Sequence, residues 1–379
     1  MISVYKEPPW TVGIEEEYLL VDKETRDLCD PPEEMLKEFE TAMPEHIRPE
    51  FLRSQVEVGT SVCRTVSEAK SELRDLRKAV AKIAGKYGLA PIASSTHPFA
   101  QWEDLKHTDK ARYHTLAQNL QAVARRLVIS GMHVHVGIEN EELRIDLMSQ
   151  VAYFLPHLLA LSTSSPFWRG EDTGLKSYRL AIFSELPRTG LPENFASYQE
   201  YRRHVEVLEH ANLIEDASMI WWDVRPSVKF PTLEMRITDV CTRLDHAGAL
   251  AALYVCILRM LFRLRRSNQR WRLYARMLIE ENRWRAQRYG MDEGLVDFGK
   301  GEIISCRDLL DELLDMVKED AEALNCVDEI MAARHIVENG TSAHLQLKKY
   351  ASVRKKGGSH EDALKGVVDC LAFQTLDGL

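Results

Sequence analysis

The stretch VGIEEEYLLV, Val12–Val21, sets three adjacent carboxylates inside an apolar run. In a β-strand, successive side chains point to opposite faces. Val12, Ile14, Tyr18 and Leu20 then share one face with Glu16, and Glu15 and Glu17 share the other. Two carboxylates side by side repel unless a cation, a proton or a cationic side chain stands between them. The stretch therefore reads as one wall of a divalent-metal site, or as an edge strand whose charged face blunts edge-to-edge pairing. Parity puts Glu16 on the apolar face, where a buried carboxylate needs a partner unless the strand bulges.

Three further stretches follow the same face logic. In Phe51–Cys63, Gln55, Glu57 and Gly59 lie on one side and Val56 and Val58 on the other. In Val128–Ile138, Met132, Val134 and Val136 face one way, and Gly131, His133, His135 and Gly137 the other. In Thr232–Thr238, Leu233, Met235 and Ile237 oppose Glu234 and Arg236. An antiparallel sheet commonly packs one face on the core and leaves the other open. If these strands share a sheet, Glu15, Glu17, Glu57, His133, His135, Glu234 and Arg236 converge on its open face. Oxygen ligands favour Mg²⁺ or Mn²⁺, and an added imidazole suits Mn²⁺ and is tolerable for Mg²⁺. Taken singly, each residue has a plainer reading. Glu57 would be a solvent-facing acid, the histidines hydrogen-bonded sheet residues, and Glu234 and Arg236 an ion pair of little net worth.

Working outward, the chain has 379 residues, of which 45% are hydrophobic and 28% charged, an ordinary globular composition. A formal charge of −9 and a pI of about 5.9 argue against a general nucleic-acid binder. Seven widely spaced cysteines with no CxxC pair fit reduced thiols better than a disulfide frame or a zinc knuckle. The N-terminal MISVYKEPPW lacks an apolar signal core, and no uninterrupted apolar run reaches membrane-spanning length. A cytoplasmic protein without membrane partners is expected.

Asp22–Pro49 reads as a polar connection. Thr65–Glu68 reads as a capping box opening a helix that runs to about Gly85, with Val66, Ala69, Leu73, Leu76, Val80 and Ile83 at helical spacing. Leu89–Ser94 is a short strand, Lys110–Leu127 a helix, Glu141–Leu161 an apolar helix, Tyr178–Phe183 a candidate strand and Asp245–Arg266 a long buried helix. Met219–Arg225 is a strand with Trp221, Asp223 and Arg225 on one side. The remainder is almost all helical. No linker-like composition divides the chain. We expect one catalytic domain over residues 1–379, sheet-rich to residue 240 and mainly helical from 241. GLVDFGK, Gly294–Lys300, satisfies GxxxxGK but is followed by Gly301 instead of Ser or Thr. It also does not join a strand to a helix, so it is not read as a phosphate loop.

GIEEEY, the Glu57 strand, SGMHVHVG, SSPFWRGEDTG, SYR and LEMRITD, in this order, resemble glutamate–cysteine ligase type 2, within it the carboxylate–amine ligase subfamily. The likeness runs from about Val12 to Gln346. It implies an α+β, glutamine-synthetase-like fold, with a curved antiparallel sheet and helices packed on one face. It also implies ATP-dependent amide formation with Mg²⁺ or Mn²⁺ on small-molecule carboxylate and amine substrates, and suggests a homodimer. Carried onto this chain, it makes Glu15, Glu17, Glu57, His133 and Glu234 metal-site candidates, with Glu57 and Arg236 catalytic. Arg236 would meet the ATP phosphates, and Arg179 in SYR would lie near the substrate acid. His135 would face substrate, as a weaker counterpart of His133. Two C-terminal stretches, Asn282–Gly290 and Gly340–Gln346, look like subfamily signatures. They make Arg285, Arg288 and Gln346 nucleotide-binding candidates, with a helix-surface role as the alternative.

The implied reaction joins the γ-carboxylate of glutamate to the amine of cysteine through an acyl phosphate. Phosphoryl transfer asks a protein mainly for positioning and charge neutralisation, so the absence of a Ser or Cys nucleophile elbow is consistent. Two rival readings stand beside it. One is a zinc amidohydrolase built on His133 and His135, for which no convincing set of further ligands is found. The other is a non-catalytic nucleotide or metabolite sensor on the same fold.

Overall fold

The computed structural model describes residues 6–50, 52–101 and 126–379. Its centre is a seven-stranded sheet. We number its strands in chain order: β1 Val12–Asp22, β2 Ile47–Pro49, β3 Gln55–Gly59, β4 Leu89–Ile92, β5 Met132–Gly137, β6 Val224–Pro226 and β7 Thr232–Met235. The spatial order is β6-β7-β5-β1-β3-β2, with β4 also paired to β1, and every ladder is antiparallel. β1 is therefore the strand on which the others assemble. It sets Glu17 opposite Glu57, Glu15 opposite His133 and Gly13 opposite His135. β7 sets Glu234 opposite His135.

One face of this sheet is the core. Val12, Ile14, Tyr18, Val56, Val58, Met132, Val134, Val136, Leu233 and Met235 are all buried in one cluster with the helices Val66–Lys86 and Leu244–Arg266. The second of these helices is long and apolar enough to cross a bilayer, yet 83% of its apolar window is buried inside the protein. On the opposite face, β1 is open only along its first half. Beyond Glu17, Leu19 and Val21 pack with Ile92 and Phe167 beneath Leu364, Val367, Val368 and Leu371 of the helix His360–Leu376.

The three-glutamate run follows its strand parity without a bulge. Glu16 is fully buried on the core face. Arg77, from the helix Val66–Lys86, meets it with a two-pronged ion pair, Nη2–Oε1 2.7 Å and Nε–Oε2 2.9 Å. Tyr18 donates its hydroxyl to Oε2 at 2.5 Å. The remaining Arg77 protons go to the carbonyls of Cys241 and Thr242, at 2.7 Å each, and Thr375, at 3.3 Å. One guanidinium thus ties β1 to the turn before the long helix and to the C-terminal helix. An arginine can satisfy such a set because its donors form a rigid planar fork.

Several local expectations change. Tyr178–Phe183 is not a strand. Residues Arg179–Phe183 form a short helix in which Arg179, Leu180, Ile182 and Phe183 are all buried, and so brief an apolar run carries no decisive period. Glu141–Leu161 is two helices, Glu141–Val151 and Leu155–Ser162, separated by a 3₁₀ turn at Ala152–Phe154. Pro156, which lacks an N–H and fits only a first turn, opens the second. Asp22–Pro49 contains the helix Glu33–Ala42 and strand β2. Gly294–Lys300 lies in a hairpin, where Asp297 Oδ1 accepts from the Gly299 and Lys300 amides at 2.8 and 3.1 Å. Most of the helix expected over Lys110–Leu127 lies outside the described residues.

Removing one partner of a buried ion pair strands the other charge, at a cost of about 3–5 kcal/mol. Arg77→Ala should therefore lower the unfolding free energy in urea by about that amount. Arg77→Lys, which keeps the charge but loses the fork, should recover part of it. A loss below about 1 kcal/mol in Arg77→Ala would contradict the bridging role.

Candidate active site

The open face of β1, β3, β5 and β7 carries two groups of potential ligands. Glu17, Glu50 and Glu57 each present a carboxylate oxygen, all within 4.8 Å of one another. Glu15, His133 and Glu234 present two carboxylates and an imidazole within the same limit. Glu50 is the residue the sequence reading missed. It follows β2, and the only sequence signal for it is an acid at the end of a strand that pairs with the Glu57 strand.

The two groups differ in how their charge is met. In the first, burial and then the Glu50 carboxylate push Glu17 up to about 8. Burial followed by Glu50, Glu15 and Glu17 pushes Glu57 well above the usual carboxylate range. Arg179, the Gly131 amide and Arg236 act against the Glu17 shift without overcoming it. The Gly131 amide donates to Glu17 Oε2 at 2.8 Å, and half-exposed Arg48 approaches Glu57 to 3.8 Å. Three carboxylates gathered this closely fit a hard cation such as Mg²⁺ or Mn²⁺, which takes oxygen ligands.

In the second group, burial alone would raise Glu15, but His133 and His135 beside it outweigh that and hold it well below its ordinary range. Burial opposes the charge of Glu234 too, and Arg236 and Arg225 overcome it, keeping this carboxyl ionised. Arg225 makes the two-pronged contact, Nε–Oε2 3.0 Å and Nη2–Oε1 3.3 Å, and Arg236 Nη1 also donates to Oε1. His133 lies 3.3 Å from Glu15 through Nδ1, and burial with the Arg236 charge lowers it to about 4, so it stays neutral as a metal ligand must. The mixed nitrogen and oxygen set suits Mn²⁺, and its single imidazole is fewer than the paired-histidine zinc reading needs.

His135 sits one step along β5, outside both groups. Its Nδ1 is 2.9 Å from Thr232 Oγ1, and its Nε2 is buried without a hydrogen-bond partner, 3.5 Å from Glu15. Arg179 is 2% exposed. Its Nη1 and Nη2 donate to the carbonyls of Ile237 and Arg236 at 3.3 and 3.2 Å. Gly131 makes room for it, since a Cβ there would stand 2.5 Å from Arg179 Nη2. The Nε atoms of Arg179 and Arg236 are buried with no hydrogen-bond partner. An unpaired buried guanidinium N–H is costly and is suited to an incoming anion.

Three further expected residues make contacts outside the two ligand groups. Arg285 donates to the carbonyls of Gly294 and Glu293, at 3.1 and 2.7 Å, and Arg288 donates to the carbonyl of Gly174. Gln346 is buried, with Nε2 donating to the Ser164 carbonyl at 2.7 Å. The same helix as Arg285 sends Arg283 toward the site instead, onto Asp223.

Comparison with known proteins follows this geometry. A family model described as glutamate-cysteine ligase family 2 matches residues 11–369. A Rhodospirillum rubrum protein with the provisional name glutamate–cysteine ligase 2 is 62% identical over 376 residues, covering 98% of this chain and 97% of its own length. One of the same provisional name from Jannaschia sp. is 53% identical over 371 residues, covering 98% of each chain. Among solved structures, glutamate–cysteine ligase of Francisella tularensis in complex with AMP superposes with a TM-score of 0.68 at 14% identity, covering 98% of this chain and 90% of that one. The likeness to that structure extends to the fold.

The carboxyl shifts have a sign that can be tested. A carboxyl held up in the folded state stabilises fully below its unfolded value near 4.5, and that contribution drains as pH rises toward about 8. His135, whose value is raised by Glu15 and Glu234 against its burial, acts in the same direction. His133 is already neutral in both states above about pH 7. The metal-free protein should therefore melt at lower temperature at pH 8 than at pH 7. Glu50→Gln, which removes the charge common to the Glu17 and Glu57 shifts, should flatten that slope. Saturating Mn²⁺ should flatten it as well. A melting temperature that climbs over this interval in the metal-free protein would contradict the assignment.

Proposed function

The chain belongs to the glutamate-cysteine ligase family 2 and is an ATP-dependent carboxylate–amine ligase, and on that premise we propose that it joins the γ-carboxylate of glutamate to the amine of cysteine through an acyl phosphate. The observation that carries this reading is the pairing of two ligand groups with two incompletely satisfied arginines on one open sheet face.

A carboxylate does not acylate an amine at neutral pH. In the proposed sequence a carboxylate oxygen of the acid attacks the γ-phosphorus of ATP and ADP leaves. The amine nitrogen then attacks the acyl carbon, inorganic phosphate leaves and the amine sheds a proton. No enzyme nucleophile enters, so the protein supplies positioning and charge neutralisation. Glu17, Glu50 and Glu57 would hold one divalent cation, and Glu15, His133 and Glu234 a second. When bound, such ions neutralise phosphate charge and act as Lewis acids. Arg236 and Arg179, whose buried Nε atoms have no hydrogen-bond partner, would receive phosphoryl or carboxylate oxygens. His135, neighbour to both imidazole and carboxylate ligands, is assigned to a substrate oxygen. Mg²⁺ and Mn²⁺ are the cations we assign, from the donor sets. A reducing compartment such as the cytoplasm fits seven free cysteines, two of which, Cys256 and Cys326, lie with sulfurs 3.5 Å apart as thiols.

Purified protein with ATP and Mg²⁺ should release ADP with glutamate and cysteine together, and far less with either alone. Screening acid–amine pairs by ADP release checks the substrate pair directly. Glu57→Gln should abolish turnover while leaving the melting profile of a folded protein. No ADP release across a broad panel of acids and amines would remove the ligase reading of this chain. Stoichiometric zinc with ATP-independent amide hydrolysis would favour the hydrolase reading instead.

A further inference from the structure

We infer that Arg283 is a positioning residue that keeps Asp223 from neutralising the phosphoryl-facing arginines. The inference rests on the ligase reading above and extends it beyond the sheet. Asp223 lies between the Trp221–Trp222 bridge and β6 and is 1% exposed. Its backbone carbonyl accepts from the amides of Arg236 and Ile237, at 2.8 and 3.1 Å, so it is anchored directly to the residue whose guanidinium faces the site. Its carboxylate acts electrostatically on Arg179.

Left unpaired, a buried carboxylate in this position would draw on the guanidiniums around it, and Arg179 is one on which it already acts. Arg283 prevents this. Reaching in from the helix Arg276–Tyr289, it takes both oxygens of Asp223, Nε–Oδ2 at 2.6 Å and Nη2–Oδ1 at 3.2 Å. Fork-to-fork pairing of this kind is the strongest carboxylate contact a side chain can make. With Asp223 occupied, the Nε atoms of Arg179 and Arg236 remain without a protein partner. The same helix braces the Arg179 side through the Gln287 carbonyl, which accepts from the Lys176 and Ser177 amides at 2.9 and 3.1 Å. Ser177 Oγ in turn donates to Asp239 at 2.8 Å, a carboxylate that also acts on Arg179.

The test is a double-mutant cycle with two readouts, kcat for ADP release and the Kd of the non-hydrolysable analogue AMP-PNP with Mg²⁺. Arg283→Met keeps the aliphatic volume and removes the fork. It should lower kcat at least tenfold and weaken AMP-PNP binding severalfold. Arg283→Met with Asp223→Asn, which also removes the freed carboxylate charge, should recover most of both losses, and Arg283→Lys should recover part. Parental kcat and Kd in Arg283→Met would overturn the inference while leaving the ligase reading intact. So would a double variant as impaired as the single one, because that result marks a packing role. A parent protein that neither binds AMP-PNP nor releases ADP would instead remove the ligase reading, and this inference with it.

Discussion

The two-residue alternation of β1 is the constraint on which the rest depends. Three consecutive glutamates cannot all face one side of an unbulged strand. Glu16 is therefore driven into the apolar layer while Glu15 and Glu17 are presented on the other. A carboxylate in that layer is tolerable only with a full complement of donors. Arg77 and Tyr18 supply it, and the guanidinium spends its remaining protons on the carbonyls of Cys241, Thr242 and Thr375. The interaction on the buried face thus fixes the register of the acids on the open face. A slip of one residue would bury Glu15 and Glu17 and expose Glu16.

On the open face the opposite economy holds. The Glu15, His133 and Glu234 group is compensated from within by imidazoles and by Arg225 and Arg236. In the Glu17, Glu50 and Glu57 group, burial and the neighbouring carboxylates hold Glu17 and Glu57 above the usual carboxylate range, although Arg179 and Arg236 oppose this at Glu17. A sheet face that gathers like charges this closely is suited to a cation from solution. The arginines are arranged in the complementary sense. Arg225 is spent on Glu234 and Arg283 on Asp223, so Arg179 and Arg236 keep unpaired protons for an anion. On the proposed reading, cations and anion would meet on the same sheet face from different sides of one charge balance.

Much of this was legible from strand parity. The face assignments of Glu15, Glu16, Glu17, Glu57, His133, His135 and Glu234 need only the alternation of apolar residues, and the ladders pair the strands accordingly. Several features were not legible. Glu50 follows a three-residue strand with no alternation long enough to read. The partner of Glu16 lies 61 residues away, in a helix whose amphipathic pattern gives Arg77 no special mark. Arg179 sits on a five-residue helix where strand and helix periods cannot be separated. In the Asn282–Gly290 stretch, a family likeness could mark the segment, but not that Arg283 pairs with Asp223 while Arg285 and Arg288 bond loop carbonyls, which depends on how the folded helix is turned.

The central claim is that the two ligand groups of the open face hold divalent cations for a phosphoryl-transfer reaction. Anomalous diffraction from crystals of the full chain soaked with Mn²⁺ and AMP-PNP addresses it most directly. The account expects two manganese peaks, one among Glu17, Glu50 and Glu57 and one among Glu15, His133 and Glu234, with the γ-phosphoryl group near Arg236. Peaks confined to other surfaces, or none on this face at saturating Mn²⁺, would contradict it.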